Sequence, residues 1–274
     1  MTTANFILSA FGDEITDDLA GQLDLLAEQD VHYVEFRAAW GKNVIDLSAS
    51  ELETAAQLLR ARGFGVSAIA SPVGKSSLEQ PVAFELERLE RAIAAAQALN
   101  TQHIRVFSFF VSPEQVSGAR TEVLQRMSAL TSRAMQAGMT LLHENEKDIY
   151  GDVPERCLEI MQHVHSPALR MAFDPANFVQ VGVHPMQQAW PRLAEYTTHI
   201  HIKDALLLDG SVCPAGEGDG EIPELLRVLT VRGYQGFLTL EPHLQVAGPS
   251  GGFSGEAGMR VALGALRAVL GKSK

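Results

Sequence analysis

Cysteine is scarce. The 274 residues contain two, Cys157 and Cys213, too few for a disulfide framework, so a reducing, cytoplasmic compartment is the expectation. Positive charge is also scarce, with 22 Lys and Arg against 33 Asp and Glu, a formal charge of −11. The Lys and Arg that exist form no cluster, so a nucleic-acid backbone is not an expected partner. No apolar run approaches the roughly 18 residues that a membrane-spanning helix needs. The opening MTTANFILSAFGDE has no positive segment before its apolar stretch and does not read as a signal peptide. Low-complexity and linker-like segments are missing, so residues 1–274 read as one domain. No glycine-rich fingerprint follows the first strand-like run, which counts against a doubly wound dinucleotide-binding sheet, the runner-up architecture.

What is present is an alternation. Eight short apolar runs rich in β-branched and aromatic residues read as strands: Asn5–Ala10, Tyr33–Phe36, Gly65–Ala70, His103–Phe109, Thr140–Glu144, Leu169–Phe173, Thr198–Ile202 and Phe237–Glu241. Runs that are apolar throughout suit parallel strands covered on both faces. Amphipathic segments lie between them. Ser48-Ala-Ser-Glu51 is a capping-box pattern opening Leu52–Arg62, with Gly63 as the stop. Phe84, Leu86, Leu89, Ile93 and Ala96 form a helical stripe, and Ser112-Pro113 and Asp152-Val-Pro-Glu155 read as helix starts. Pro223–Arg232 ends at Gly233, and Gly258–Leu270 closes the chain with Val261, Leu263, Leu266 and Leu270 expected on its buried side. Eight βα units in this length predict a single (β/α)8 barrel.

Strands five to eight each end in charged or imidazole side chains. They read His143-Glu144-Asn, Phe173-Asp174-Pro-Ala-Asn177, His199-Ile-His201-Ile-Lys203-Asp204 and Leu240-Glu241-Pro-His243. Adjacent strands lie about 4.8 Å apart, so such residues can converge on one point at the barrel mouth. Three carboxylates there repel and raise one another's pKa values, and a divalent cation resolves the conflict. Paired carboxylates can also act as acid and base on a substrate whose carbonyl a metal polarises.

These segments resemble the sugar phosphate isomerase/epimerase superfamily, the xylose isomerase-like TIM barrels. The resemblance runs from Phe11-Gly-Asp-Glu-Ile15 and Val34-Glu-Phe-Arg37 through Ser71-Pro-Val-Gly-Lys75 and Ile104-Arg-Val-Phe-Ser-Phe109. It continues through His143-Glu-Asn-Glu-Lys147, Phe173-Asp-Pro-Ala-Asn177, His201-Ile-Lys-Asp204, Gly216-Glu-Gly218 and Leu240-Glu-Pro242. It implies one divalent ion (Mn, Mg, Co or Zn) held by Glu144, Asp174, His201 and Glu241, with Glu144 and Glu241 exchanging the substrate proton. The implied activity is isomerisation or epimerisation of a small sugar, a polyol-derived ketone or a sugar phosphate. The alternative is a lyase of the same family acting on an inosose, 3-dehydroshikimate or a 3-keto sugar. Asn177 stands where the epimerases carry a substrate-contacting histidine, Leu207 where they carry an arginine, and Glu146 where many members carry histidine. The expected partner is a small carbohydrate, with a homo-oligomer left open.

Other residues carry two readings each. Lys203 shares the face of His201 and binds a substrate oxygen or forms a salt bridge to Glu217 or Asp204. Glu35 and Arg37 share a face of strand two, as an ion pair or as substrate contacts. Arg105 needs an acid, with Glu35 and Glu144 as candidates. His143 and His199 are read as packed histidines facing the helices. Lys75 with its serines reads as a phosphate site or a surface loop, and Gly248–Phe253 as a weak anion cradle. Trp40 and Phe110 read as an apolar wall over a sugar or as core. A thiol nucleophile is not expected at either cysteine.

Overall fold

The computed structural model describes residues 4–248 and 251–272. Eight strands form the central sheet: β1 (Asn5–Ala10), β2 (Tyr33–Phe36), β3 (Gly65–Ala70), β4 (His103–Val106), β5 (Thr140–Glu144), β6 (Leu169–Phe173), β7 (Thr197–Ile202) and β8 (Gln235–Leu240). All pairings are parallel, order around the ring is chain order, and β8 closes on β1 from Asn5↔Gln235 to Ala10↔Leu240. The closing ladder excludes the open-sheet alternative.

The helices are α1 (Leu19–Glu28), α2 (Ala49–Ala61), α3 (Val82–Ala98), α4 (Val116–Gln136), α5 (Pro154–Val164), α6 (Pro175–Val179), α7 (Trp190–Leu193), α8 (Ile222–Val231) and α9 (Gly255–Lys272). The main core lies between the outer faces of the strands and these helices, with Leu23, Leu26, Leu59, Leu89, Ile93, Met127, Leu130, Ile160, Leu226 and Leu263 almost fully buried in it. Helix α2 opens on the expected capping box: Ser48 Oγ accepts from Glu51 N–H at 3.3 Å and Glu51 Oε2 from Ser48 N–H at 2.8 Å. Short α6 and α7 together take the place of one long helix between β6 and β7.

Three local expectations need correction. Strand β4 stops at Val106 rather than Phe109, because Phe107 N–H and Phe109 N–H bond to Val73 O and Gly74 O in the loop after β3. That close approach needs glycine: Gly74 sits at φ 83°, and a Cβ there would lie 2.1 Å from Phe107 O. Helix α4 starts at Val116 rather than at Ser112-Pro113, since Gln115 N–H first closes a turn onto Ser112 O. On the apolar sides of the helices, Val261 and Phe84 are exposed by 53% and 39%. The buried side of α9 instead runs through Met259, Ala262, Leu263, Leu266 and Val269, spaced i, i+3, i+4, i+7 and i+10 and centred about 140° round the helix from Val261.

The loop after β7 is built on one carboxylate. Asp204–Ala205 pairs antiparallel with Val212–Cys213 at the mouth of the barrel. The Asp204 carboxylate accepts backbone N–H groups from Ala205 (2.9 Å), Gly216 (2.8 Å), Gly218 (3.2 Å) and Gly220 (2.8 Å). A Cβ on Gly218 would lie 2.4 Å from Asp204 Oδ1, so this wrap also requires glycine.

Two stability measurements follow. Leu266→Ala should cost on the order of 3 kcal/mol in denaturant unfolding, as fully buried leucines do, and Val261→Ala less than about 0.5 kcal/mol. Equal effects would place the buried face of α9 wrongly. Asp204→Ala orphans four N–H groups at once and should cost at least ~2 kcal/mol. Amide exchange should accelerate in residues 205–220 and stay unchanged in β1–β3.

Candidate metal centre

Consecutive strands β5 to β8 carry the site. Glu144 is the last residue of β5, Asp174 follows β6, His201 lies in β7, and Glu241 follows β8. Parallel register stacks these ends: Glu144 pairs with Ala172, Phe173 with Ile200, and His201 with Thr239, while Glu241 N–H bonds to Ile202 O. One ligand atom from each of Glu144, Asp174, His201 and Glu241 lies within 4.8 Å of the others, and all four residues are buried.

The donors are oriented by their neighbours. His201 Nδ1 faces Glu144 Oε1 at 3.0 Å and Asp174 Oδ2 at 3.9 Å, while its Nε2 lies 3.2 Å from Glu35 Oε2. Glu35 thus sits at the far nitrogen of the histidine, where a carboxylate sets the tautomer of a metal-binding ring. Asn177 donates from Nδ2 to Glu144 Oε1 (3.2 Å) and to Asn145 O (2.9 Å), and its backbone N–H caps Asp174 Oδ1 (2.9 Å). Glu35, read as an ion pair or a substrate contact, thus meets histidines here, and Asn177, which stands where the epimerases carry a substrate-contacting histidine and was a candidate substrate contact, donates to Glu144 and Asn145 O. Phe11 packs edge-on to His201 and lies 4.8 Å and 5.3 Å from the guanidinium carbons of Arg37 and Arg105.

Three permanent cations enter the cluster. Arg37 reaches Asp13 Oδ2 (2.6 Å), Glu14 Oε1 (3.4 Å) and Glu241 Oε1 (3.0 Å). Arg105 reaches Glu144 Oε2 (3.2 Å) and Glu241 Oε1 (3.8 Å), which answers which acid it needs. Lys203 meets neither Glu217 nor Asp204 but Asp174 Oδ2 (2.9 Å) and Glu241 Oε2 (3.1 Å). Five acids, Asp13, Glu14, Glu144, Asp174 and Glu241, thus face Arg37, Arg105 and Lys203, while a sixth, Glu35, faces His199 and His201. Ionised, the six acids leave three negative charges over these permanent cations, of which protonated His201 and His243 offset two.

Burial pushes the Glu144 carboxyl up, but the charges of His201 and Arg105 outweigh it and hold it at about 2. Burial wins at Asp174, opposed by Lys203 and assisted by Glu144, and raises it to about 6. Burial would lower His201, yet Glu35 and Glu144 lift it well above the usual imidazole range. Buried Glu144 Oε2 and Asp174 Oδ2 accept no hydrogen bond of good geometry and have only a cation beside them. Excess negative charge, two such oxygens, and one imidazole with three carboxylates make a donor set that fits a divalent cation.

The remaining candidates lie elsewhere. His199 was expected to face the helices and does not: its Nε2 lies 2.7 Å from Glu35 Oε2 and 2.9 Å from Thr239 Oγ1 inside the barrel. It stands two residues before His201, so the same period-two alternation that placed Lys203 already puts it on that face. His143, one residue before Glu144, is buried on the other side against Gly151, and burial lowers it to about 4. Asp13, Glu14 and His243 join the network without having been singled out; the acid pair after β1 and the histidine after Glu241 were the available signals. Lys75 pairs with Glu146 at 3.1 Å over the Phe107 ring. Trp40 packs on the core, while Phe110 is 46% exposed beside a cavity of about 840 Å³. Burial raises both thiols, Cys157 most. The Gly248–Phe253 stretch lies partly outside the described residues, at 249–250. Among the described residues no helix is long and apolar enough to cross a membrane.

Residues 23–269 match the family model for the xylose isomerase-like TIM barrel. No curated protein matches by sequence. Among solved structures, a D-tagatose 3-epimerase-like protein superposes with a TM-score of 0.77 at 18% identity over 98% of each chain. The probable 3-DHS dehydratase of petrobactin synthesis from Bacillus anthracis gives 0.73 at 16% identity, covering 96% of this chain and 99% of that one. A xylose isomerase-like TIM barrel protein from Mycobacterium smegmatis, in complex with magnesium, gives 0.69 at 18% identity, covering 96% and 97%. At such identities the likeness speaks for the fold and leaves the chemistry to the site. With the sequence match spanning most of a closed eight-stranded parallel ring, the chain belongs to the xylose isomerase-like TIM barrel family.

Proposed function

We propose that this chain, as a single barrel domain, is a divalent-metal-dependent isomerase or epimerase of a small sugar, polyol-derived ketone or sugar phosphate. The observation that carries the reading is the convergence of Glu144, Asp174, His201 and Glu241 donor atoms within 4.8 Å. A family that includes epimerase-like structures supports the reaction class. These four residues hold the ion, for which the mixed imidazole and carboxylate set suits Mn, Mg, Co or Zn. When bound, the ion polarises a substrate carbonyl or hydroxyl and acidifies the neighbouring C–H.

The protein's own groups do the rest. Glu144 and Glu241 come from strands separated in the ring by β6 and β7, so a substrate carbon lying between them meets a carboxylate from each side. One takes the proton beside the carbonyl, and the other, carrying a proton from solvent, delivers that proton to the opposite face. Asn177 and Arg105 fix the Glu144 carboxylate, Arg37 fixes that of Glu241, and Glu35 holds the ring of His201. Lys203 supports the second reading, a lyase of the same site acting on an inosose, 3-dehydroshikimate or 3-keto sugar. Its ammonium, 3.1 Å from Glu241, is a positive charge that the oxygen of a departing hydroxyl can meet. A similar structure described as a probable 3-DHS dehydratase belongs to that class.

Ketoses, inososes and keto-sugars incubated with Mn²⁺-loaded protein in D₂O separate the two. Solvent deuterium on the substrate carbon without loss of water is the expected result; loss of water selects the lyase. A protein that binds no divalent ion and exchanges no proton overturns both. Glu144→Gln and Glu241→Gln should each lower exchange by about 10²–10⁴-fold, the usual worth of a positioned acid or base. Metal content is to be measured beside activity, and a variant retaining metal and full turnover removes that residue from proton transfer.

A further inference from the structure

Lys203 is the lysine of the barrel interior, 4% exposed, and it stands at the proposed metal ligands. Its ammonium bridges two oxygens, Asp174 Oδ2 at 2.9 Å and Glu241 Oε2 at 3.1 Å. These are the oxygens left for an ion. Asp174 Oδ1 is taken by Asn177 N–H, whereas Oδ2 is the oxygen turned to His201 Nδ1. Glu241 Oε1 is taken by Arg37, Arg105 and His243, and Oε2 has Lys203. A dipositive ion at about 2.0–2.2 Å from those oxygens would stand against a positive charge within a few ångströms in a buried site, where like charges repel strongly.

We propose that Lys203 is a resident counter-ion of the metal-free site, which gives up Asp174 and Glu241 when the metal binds and swings into the barrel mouth. This rests on the reading of Glu144, Asp174, His201 and Glu241 as ligands. Without metal, the ammonium keeps the buried carboxylates paired and the ring of ligands closed. With metal, the flexible four-carbon stem carries the charge toward the mouth, where it meets a substrate oxygen. The geometry thus orders the events: ion first, then a lysine released to bind substrate.

Two measurements with Mn²⁺ as the probe test this. Titration of metal-free wild type and Lys203→Met by calorimetry should give a dissociation constant at least tenfold tighter for the variant, because a competing cation is gone. Reductive methylation of the wild type, read by peptide mass spectrometry, should find Lys203 protected without Mn²⁺ and modified with it. Equal or weaker Mn²⁺ binding by the folded variant, or labelling of Lys203 indifferent to Mn²⁺, overturns the proposal. Should the variant not fold, the labelling of the wild type decides alone. A wild type that binds no Mn²⁺ overturns the ligand set itself, an outcome distinct from tight wild-type binding with no gain in Lys203→Met.

Discussion

Carboxylates packed inside a barrel mouth must have positive charge beside them, and the rest of this structure is arranged around that need. An isolated ionised carboxylate in a medium of low polarity costs many kcal/mol, and the group takes up a proton unless it is paired. Here Glu35, Glu144, Asp174 and Glu241 are each at most 3% exposed. Arg37, Arg105 and Lys203 come from β2 or just after it, from β4, and from just after β7 to meet them, and each cation serves at least two acids. Buried ion networks of this kind are weak contributors to stability compared with an apolar core of the same volume. Their presence at the end of a barrel where binding loops gather points to chemistry rather than to folding.

The network is uneven in how its positive charge is shared. Glu241 is approached by Arg37, Arg105, Lys203 and His243, which together outweigh burial and hold it well below the usual carboxylate range. Asp174 has Lys203 alone as a close permanent cation, and burial prevails. Glu144 goes the way of Glu241, since His201 and Arg105 outweigh its burial. Beneath them, Glu35 binds His199 and His201, so imidazole orientation is set one layer down, away from the mouth. Asp204 does for the β7 loop what Glu35 does for the ring, since its wrapped carboxylate fixes where Leu206–Gly220 can lie.

Most of the architecture was legible in the chain. Strands buried on both faces leave continuous apolar runs, and seven of the eight lie within two residues of their observed ends. The exception is β4, whose continuation is captured by the loop at Val73-Gly74, a long-range pairing with no local trace. The charged strand ends were legible too, because residues ending adjacent parallel strands have little choice but to meet. Less legible were the partners. Glu35 and Arg37 share a strand face, yet one turns to histidines of β7 and the other to Asp13, Glu14 and Glu241. His199 was misread although its spacing from His201 carried the answer.

By itself, then, the sequence determined the alternation, the count of eight, the helix caps such as Ser48 and Glu51, and the convergence of Glu144, Asp174, His201 and Glu241 at the strand ends. Those follow from local periodicity and hydrogen-bonding chemistry, which act over a few residues and are written consecutively. Only the tertiary structure decided closure of β8 on β1, the pairing of Lys203 with Asp174 and Glu241 rather than with Asp204 or Glu217, and the turning of Asn177 and Glu35 to protein groups. Pairings in a buried site are set by which charge is nearest in space and how far each stem can reach, and in a barrel the nearest charges come from strands far apart in the chain.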